Sequence, residues 1–511
     1  MINNCCGIQR ISEKEPYMSQ NKTELTVNRL LIGGIFICVA GIGYLVYRDS
    51  LNYEGRLERI VLGAVFGLMV LFMSLALRMQ VNQKINVLLI TGATAFGLYI
   101  AEIILLLFTT ITPVDWMYIP GNTRGSLDIM RRAEFARKAG VDFDRRTRIE
   151  VIQDLEATGV EAVPEIPPSI VLDPSEGGTY KSLLTLDGHE LLPLGSISDR
   201  VTVYCNESGE YIIYKSDEHG FRNTKGRWAS KQIDVALLGD SFTMGACVPT
   251  EKTFAALIGK KYPATLNLAA DNNGPLIELA TLREYLVDVR PRIVLWVYYE
   301  GNDLQNLYTE WKSPLLRNYL NRGFRQGLAA RQQDIDRKLL AFVREARKTS
   351  RWLQRLEQAR DVVRLMNLRT LAASAFRNQK KNTSVSQHEI NLFRVILSEA
   401  VTTVSSWGGS LYFVYLPAWK RYAHPELAPD ERDVVLATVM DLGIHVIDIH
   451  EGFAKESDPL AFFPFGQAGH YNEKGNMLVA REIVNELAKS QSKNSGNRQV
   501  ALPIPLNTDR P

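Results

Sequence analysis

Three short polar motifs between residues 239 and 476 carry residue types that can perform acyl chemistry. They are Gly239–Ser241, Gly301–Asp303 and a loop centred on His470. Attack on an ester needs a nucleophile, a base that takes its proton, and donors for the negative oxygen that develops. Ser241 supplies a nucleophile, His470 a base and Asn302 an amide N–H. Together the motifs predict acyl hydrolysis or acyl transfer.

Each motif taken alone also has an ordinary structural explanation. Ser and Asp are favoured N-cap residues, so Ser241 could simply begin a helix. A histidine that precedes a helix, as His470 does, is more often a cap or a core partner than a catalytic base. The combination of the three motifs in this order favours the catalytic interpretation.

The elements that must position these side chains are strands of a parallel sheet. Apolar runs predict strands at 233–239, 265–269, 293–299, 410–416 and 445–449, and helix-like stretches such as 253–261, 276–287 and 477–487 alternate with them. This alternation predicts a sheet with helices on both faces. The carboxyl ends of parallel strands share one edge, where such folds bind ligands. We therefore expect Ser241, Asn302 and His470 to lie together at that edge.

These motifs resemble those of the SGNH, or GDSL-type, hydrolase superfamily. The chain reads GDSF from Gly239, GND from Gly301 and HYNEKGN from His470, and the resemblance covers roughly 217–487 without a basic insertion. The resemblance implies a flavodoxin-like three-layer α/β/α fold, a Ser241 nucleophile and a His470 base. It also implies an oxyanion hole and ester hydrolysis or O-acyl transfer without a metal or an organic cofactor.

One departure from the family concerns the acid that orients the histidine. The family has an Asp three residues before the His, and this chain has Gln467 there. Gln orients an imidazole but stabilises imidazolium poorly. A Ser–His dyad and an acid supplied from elsewhere, for instance Asp458, both remain open.

The second departure concerns the second block, which supplies a backbone N–H to the oxyanion hole in the family. By spacing from Asn267, the usual Gly falls on Asn272, and the nearest Gly is Gly274. Asn tolerates the left-handed region better than most residues. Either position is a candidate donor.

The first half of the chain predicts attachment to a membrane. Apolar runs at 30–47, 60–77 and 85–108 are each near the ~20 residues that cross a hydrocarbon core. Basic residues favour a cytoplasmic amino terminus only slightly. That orientation puts the soluble part outside the cytoplasm, in the periplasm of a bacterial inner-membrane protein. The predicted organisation is as follows: tail 1–29, three spans, juxtamembrane helical segment and linker 109–168, β-rich lead-in 169–232, α/β domain 233–488 and disordered tail 489–511.

A strongly basic segment, 317–381, interrupts the α/β pattern with apolar residues at helical spacing. Such a segment is typical of helices that lie on anionic membranes. It also fits an acidic polysaccharide or a helical hairpin with solvated basic faces. The formal net charge of +3 distinguishes no partner, and the segment contains no stacking motif that would indicate nucleic acid.

Of the five cysteines, only Cys205 and Cys247 fall in the predicted soluble part. An extracytoplasmic location would permit a disulfide between them, and two buried free thiols are the alternative. The five cysteines show no metal-binding spacing.

The leading hypothesis is a membrane-anchored serine esterase or O-acyltransferase that acts on acylated envelope glycans or lipids. The alternative is a non-catalytic binding or assembly module of an envelope polysaccharide system, and Gln467 in place of the acid is its main support.

Overall fold

A computed structural model of the 511-residue chain describes residues 14–50, 56–110, 124–175, 178–348, 386–427 and 431–498, with Val362, Leu365 and Leu368 between them. Residues divide into two compact units. The first comprises 1–107, 176–178 and 357–374, and the second comprises the remainder.

The strands are β1 Ala162–Pro164, β2 Leu172–Pro174, β3 Tyr180–Ser182, β4 Thr185–Leu186, β5 His189–Glu190, β6 Val201–Val203, β7 Ile213–Lys215, β8 Val235–Leu238, β9 Thr265–Asn267, β10 Ile293–Tyr299, β11 Ser410–Leu416 and β12 His445–Asp448. The α-helices are α1 Lys14–Ser50, α2 Arg56–Ala76, α3 Val81–Thr110, α4 Arg124–Ala139, α5 Arg148–Ala157, α6 Pro168–Val171, α7 Ser241–Met244, α8 Phe254–Gly259, α9 Pro275–Thr281, α10 Val287–Val289, α11 Asp303–Glu310, α12 Pro314–Arg317, α13 Gln332–Lys348, α14 Gln387–Ser405, α15 Trp419–Ala423, α16 Glu431–Asp441, α17 Ile449–Phe453 and α18 Glu473–Arg498. A π-helical turn, Leu282–Leu286, joins α9 to α10, and short 3-10 helices occur at Arg227–Ala229, Thr250–Lys252, Asn318–Leu320, Leu328–Arg331, Pro425–Leu427, Pro459–Phe462 and Pro464–Gly466.

Five parallel strands form the central sheet of the second unit, in the spatial order β12-β11-β10-β8-β9. Counted along the chain, this is the order 2-1-3-4-5 from one edge to the other. All five strands lie where the apolar runs predict them, and β10 and β11 match the predicted bounds. The chain reverses its direction of winding between β8 and β10, which are neighbours in the sheet. In open α/β sheets this switch point is where ligands bind.

Alternate residues of each central strand enter two different cores, as a strand's period of two requires. In β10, Trp296 packs into one core with α9, α14 and α16. Its neighbours Leu295 and Val297 pack into the other core with α8, α17 and α18. The sheet is therefore the middle of three layers.

The lead-in to this sheet is β-rich, as predicted. Strand β6 pairs with β1 in parallel and with β7 antiparallel. Two short antiparallel pairs, β2–β3 and β4–β5, complete it.

The first unit corrects the number of predicted membrane spans. Two stretches in the described residues are long and apolar enough to cross a bilayer, Lys22–Gly43 and Val81–Ile104. The predicted span at 60–77 lies in α2, where the apolar helix among the described residues, Phe66–Ala76, is too short to qualify. In the part of the chain that the structure describes there are therefore two candidate spans, rather than the three predicted.

The basic segment packs differently from a surface-binding helix. It forms α13, and the apolar side chains Ile335, Leu339 and Val343 are buried in the core that also contains Trp296. Because protein covers this apolar face, α13 does not offer it to a membrane surface. The segment's remainder, 349–381, lies outside the described residues apart from three single positions.

The carboxyl-terminal tail also begins later than predicted. Helix α18 continues through Arg498, so 489–498 is helical rather than disordered. Residues 499–511 lie outside the described part of the chain.

Candidate active site

The turn that carries Ser241 depends on a glycine. Strand β8 ends at Leu238, and Gly239 has φ of 156°. A Cβ on Gly239 would lie 2.2 Å from Thr243 Oγ1 and 2.9 Å from the Val297 carbonyl oxygen. Only glycine allows this close approach without displacing its neighbours, so Gly239 determines where the next residues sit.

Asp240, rather than Ser241, caps the short helix α7. Its carboxylate Oδ1 accepts the Phe242 backbone N–H at 2.9 Å. Burial raises the pKa of Asp240 to about 7, against the opposing influence of the His470 charge. Ser241 is therefore the first helical residue, and its hydroxyl is not used as the cap.

The hydroxyl of Ser241 instead contacts His470. Ser241 Oγ lies 2.9 Å from His470 Nε2. His470 stands on the loop between Pro464–Gly466 and α18. The ring of Phe242 packs beside the imidazole, with 4.7 Å between ring centroids. The structure thus brings together two of the residues that the sequence selects from 229 positions apart.

The other imidazole nitrogen is held by Glu207. His470 Nδ1 lies 3.1 Å from Glu207 Oε1, and the backbone N–H of His470 donates to Oε2 at 2.8 Å. A carboxylate only accepts, so Nδ1 carries the proton and Nε2 is left to accept from Ser241. This is the tautomer that a general base needs.

The charges around Glu207 keep it ionised. Arg132 on α4 forms an ion pair with Glu207 Oε1 at 3.0 Å. Burial alone would raise the pKa of Glu207, but the charge and hydrogen bonds of His470 and the Arg132 guanidinium outweigh burial and lower it to about 2. Burial alone would lower the pKa of His470, and Glu207 instead raises it above 6.5.

Glu207 comes from the β-rich lead-in, on the loop that joins β6 to β7. This loop is tied to the segment that follows Ser241, because Cys205 and Cys247 form a disulfide with a Cα–Cα distance of 5.2 Å. The sulfur of Cys247 lies within 4.8 Å of ligand atoms of both Glu207 and His470. The structure therefore contains the disulfide rather than the alternative pair of free thiols.

The residues that the sequence selects for the acid position lie elsewhere. Asp458 accepts the Leu460 backbone N–H at 3.1 Å as the cap of the 3-10 helix Pro459–Phe462. Gln467 faces the cavity beside His470, but the imidazole N–H is occupied by Glu207. Neither residue orients the histidine, which corrects both candidates.

Asn302 follows β10 and is the N-cap residue of α11, but its side chain makes no capping hydrogen bond. Its Oδ1 atom is buried and has no hydrogen-bond partner among the described residues. The backbone N–H of Ser241 is the first amide of α7 and has no acceptor within its helix. The Ser241 backbone N–H and the Asn302 side-chain Nδ2 amide are the candidate oxyanion donors at this edge of the sheet.

Gly274, one of the two second-block candidates, does not supply a backbone N–H to the oxyanion hole. Its backbone N–H donates to Glu310 Oε1 at 2.6 Å, so this amide is already engaged. Asn272 has φ of 57°, the left-handed conformation that the sequence allows for it. Glu310 does not hold Asn272, but the backbone of Asn272 is hydrogen-bonded to the Asp271 carboxylate.

A cavity of about 360 Å³ opens at Glu207 and His470. Its walls come from α4, from the end of β10 and from the loop before α18. The lining residues are Arg131, Arg132, Phe135, Glu207, Phe242, Tyr299, Pro464, Phe465, Gln467, Ala468, Gly469 and His470. Four of these twelve residues are Phe or Tyr and five are charged or polar, so the walls combine aromatic surface with groups that can bind a polar ligand.

One group of three metal-binding residue types occurs among the described residues, formed by Glu207, Cys247 and His470. Cysteine binds a metal as the thiolate, and the sulfur of Cys247 is in the disulfide. Glu207 and His470 are hydrogen-bonded to each other. The group is better described as the hydrogen-bonded pair and the disulfide that supports it.

No protein-family model and no curated protein matches the chain. Solved structures that are similar to it include a two-domain esterase active on acetylated mannans (12% identity, TM-score 0.29). The match covers 55% of this chain and 54% of that one, so the chain spans about half the length of this esterase. A lipase/acylhydrolase from Enterococcus faecalis has 11% identity, a TM-score of 0.28 and coverage of 50% and 95%. A psychrotrophic esterase from Pseudoalteromonas sp. has 11% identity, a TM-score of 0.26 and coverage of 51% and 98%. The similar structures are thus esterases and acylhydrolases, at similarities that carry no argument about the activity of this chain.

Proposed function

We propose that the chain is a membrane-anchored SGNH-like serine esterase that cleaves acyl esters by a Ser241–His470–Glu207 mechanism. The observation that carries the proposal is the continuous set of hydrogen bonds from Ser241 Oγ to His470 and on to the Glu207 carboxylate. The strand order and the two helical layers support a flavodoxin-like arrangement for the domain that holds this site.

In the first half of the reaction, Ser241 Oγ attacks the ester carbonyl carbon and its proton passes to His470 Nε2. The Glu207 carboxylate stabilises the imidazolium that forms. The backbone N–H of Ser241 and the Asn302 amide donate to the oxyanion. His470 then gives its proton to the leaving alcohol, whose bond to the carbonyl carbon breaks, and an acyl-Ser241 ester remains.

In the second half, His470 takes a proton from an incoming hydroxyl, which attacks the acyl-enzyme. Water as the incoming group completes hydrolysis, and a sugar hydroxyl would complete O-acyl transfer. Collapse of the second tetrahedral intermediate returns the proton to Ser241.

Glu207 also bears on the alternative, a non-catalytic binding module. The support for that alternative is the absence of an acid at Gln467. The Glu207 carboxylate accepts a hydrogen bond from His470 Nδ1, which supports the esterase over this alternative.

The two candidate spans support anchoring in a membrane, and the Cys205–Cys247 disulfide supports an oxidising compartment for the catalytic unit. We place the site on the periplasmic side of a bacterial inner membrane, facing acylated envelope glycans or lipids.

Hydrolysis of 4-nitrophenyl acetate by the full chain in a non-ionic detergent tests the proposal. We expect Ser241→Ala to lose more than about 10³-fold in kcat/KM. Ser398→Ala, at an exposed position on α14, is the matched control and should retain the wild-type rate. Full activity in Ser241→Ala would overturn the proposed mechanism.

A further inference from the structure

The charges that line the cavity at the active site do not balance. Glu207 is the acidic residue among the lining residues, and its carboxylate is ion-paired with Arg132 and hydrogen-bonded to His470. Arg131 also lines the cavity as an exposed residue, and its guanidinium forms no ion pair with a carboxylate among the residues that the structure describes. When His470 is neutral, as a base must be, the lining residues therefore carry one excess positive charge.

Arg131 is held at the cavity by its own helix. The next residue, Arg132, is paired with Glu207, which fixes α4 relative to the catalytic loop. Gly469 permits this close approach, since a Cβ there would lie 2.8 Å from Glu207 Oε2 and 3.1 Å from an Arg132 guanidinium nitrogen. The Arg131 guanidinium carbon lies 5.5 Å from the ring centroid of Phe135, another cavity residue. The backbone of Arg131 is thus positioned by the same contacts that position the acid.

Another lining residue adopts an unfavourable backbone conformation. Phe465 lines the cavity with φ of 54° and ψ of 23°, in the left-handed region. This region is sterically unfavourable for a bulky side chain. Such strain is commonly found at ligand-binding positions, and here it directs an aromatic side chain toward the space that Arg131 also borders.

We propose that this cavity binds an ester that carries an anionic group, a carboxylate or a phosphate, and that Arg131 binds that group. The inference rests on the proposed esterase function and names the substrate class of the same site. An arginine with a free planar guanidinium binds such oxyanions in bidentate fashion, with better geometry than lysine. The aromatic walls would hold the uncharged part of the substrate.

The kinetic test compares 4-acetoxybenzoate with its neutral methyl ester in the full-length protein. Arg131→Gln should raise KM for the anionic ester by about tenfold more than KM for the neutral ester, since a charge-assisted contact is lost. Arg131→Lys should recover part of the difference. Arg137→Gln is the matched control, because Arg137 lies on the same helix, pairs with Glu134 and is 66% exposed. Equal changes of KM for the two esters would overturn the inference.

Binding separates failure of this inference from failure of the proposed function. Titration calorimetry of Ser241→Ala protein with 4-hydroxybenzoate and its methyl ester requires no catalysis. We expect adding Arg131→Gln to weaken binding of the anion about tenfold more than binding of the neutral ester. Unchanged discrimination would overturn the inference, whereas Arg131-dependent binding without Ser241-dependent hydrolysis would support it and contradict the esterase mechanism alone.

Two further ligands in the same titration distinguish an acidic glycan from a phospholipid headgroup as the source of the anionic group. Galacturonate represents an acidic glycan and glycerol 1-phosphate represents a phospholipid headgroup. Arg131-dependent binding of either supports the inference, and the tighter of the two identifies the source. Binding of neither would overturn it.

Discussion

Glu207 contacts His470 twice, through a side-chain hydrogen bond of 3.1 Å and a backbone hydrogen bond of 2.8 Å, although the two residues are 263 positions apart. The double contact fixes both the tautomer of the imidazole and the position of the loop that carries it. The acid therefore reaches the histidine from a separate small sheet rather than from three residues upstream. This arrangement makes the lead-in part of the candidate active site.

Replacing the carboxylate by an amide, in Glu207→Gln, tests the role of the acid. Loss of the charge should lower kcat on the order of 10⁴-fold, because the imidazolium is no longer stabilised. Glu210→Gln, an exposed change on the same loop, should be neutral. Full activity in Glu207→Gln would contradict the triad.

The pH profile of kcat/KM gives a second test of the same pair. Catalysis needs neutral His470, and Glu207 raises the pKa of this histidine above 6.5. Activity should therefore be low at acidic pH and rise with a midpoint above 6.5. The residual activity of Glu207→Gln should rise at a lower pH than wild type, since the neighbouring negative charge is gone. An unchanged midpoint would mean that Glu207 does not influence the titrating group.

Reduction of the disulfide should lower activity through Glu207. Cys205 lies two residues before Glu207, and breaking its bond to Cys247 releases the loop that carries the acid. Since small displacements of catalytic groups cost up to about 10²-fold, we expect a loss of about 10- to 100-fold in a phosphine reductant. The Cys205→Ser/Cys247→Ser double variant should be slow and insensitive to the reductant.

A comparison in the Glu207→Gln background isolates this effect from general damage. There, reduction should cost little further activity, because the group that the disulfide positions is already lost. Thermal melting of the reduced protein shows whether the fold persists. An equal loss in both backgrounds would contradict positioning through Glu207.

A methyl group added at Gly469 tests the close approach of this residue to Glu207 and Arg132. In Gly469→Ala the new methyl group would meet Glu207 Oε2 and an Arg132 guanidinium nitrogen, at 2.8 and 3.1 Å. Displacing the carboxylate from His470 should lower kcat about 10²-fold with little change in KM. Gly259→Ala, with no atom nearer than 3.9 Å, should retain activity. A fully active Gly469→Ala would show that the loop accommodates the methyl group.

Much of the α/β unit follows from local sequence pattern. The run Ile293–Tyr299 is a strand with the predicted bounds because a continuous apolar segment next to polar turn residues has few other stable environments. The same pattern places Ser241, Asn302 and His470 after strands or on loops at one edge. Whether these three residues come close to one another then depends only on the sheet being parallel.

The acid could not be found this way, because Glu207 lies outside the alternating pattern. Its loop is brought to the site by tertiary contacts with Arg132 and by the Cys205–Cys247 bond. The cysteine positions were the sequence signal that could have located the acid. Cys247 is six residues after Ser241, so a disulfide from Cys247 to Cys205 places Glu207, two residues after Cys205, near Ser241.

The most direct test of an activated serine is labelling of the full chain with a fluorophosphonate probe, read by intact mass. Wild type should gain one probe adduct, Ser241→Ala should gain none, and His470→Ala and Glu207→Gln should react far more slowly. A known serine esterase in the same tube confirms that the probe is active. If wild type stays unmodified while that esterase reacts, Ser241 is not an activated nucleophile and the account is contradicted.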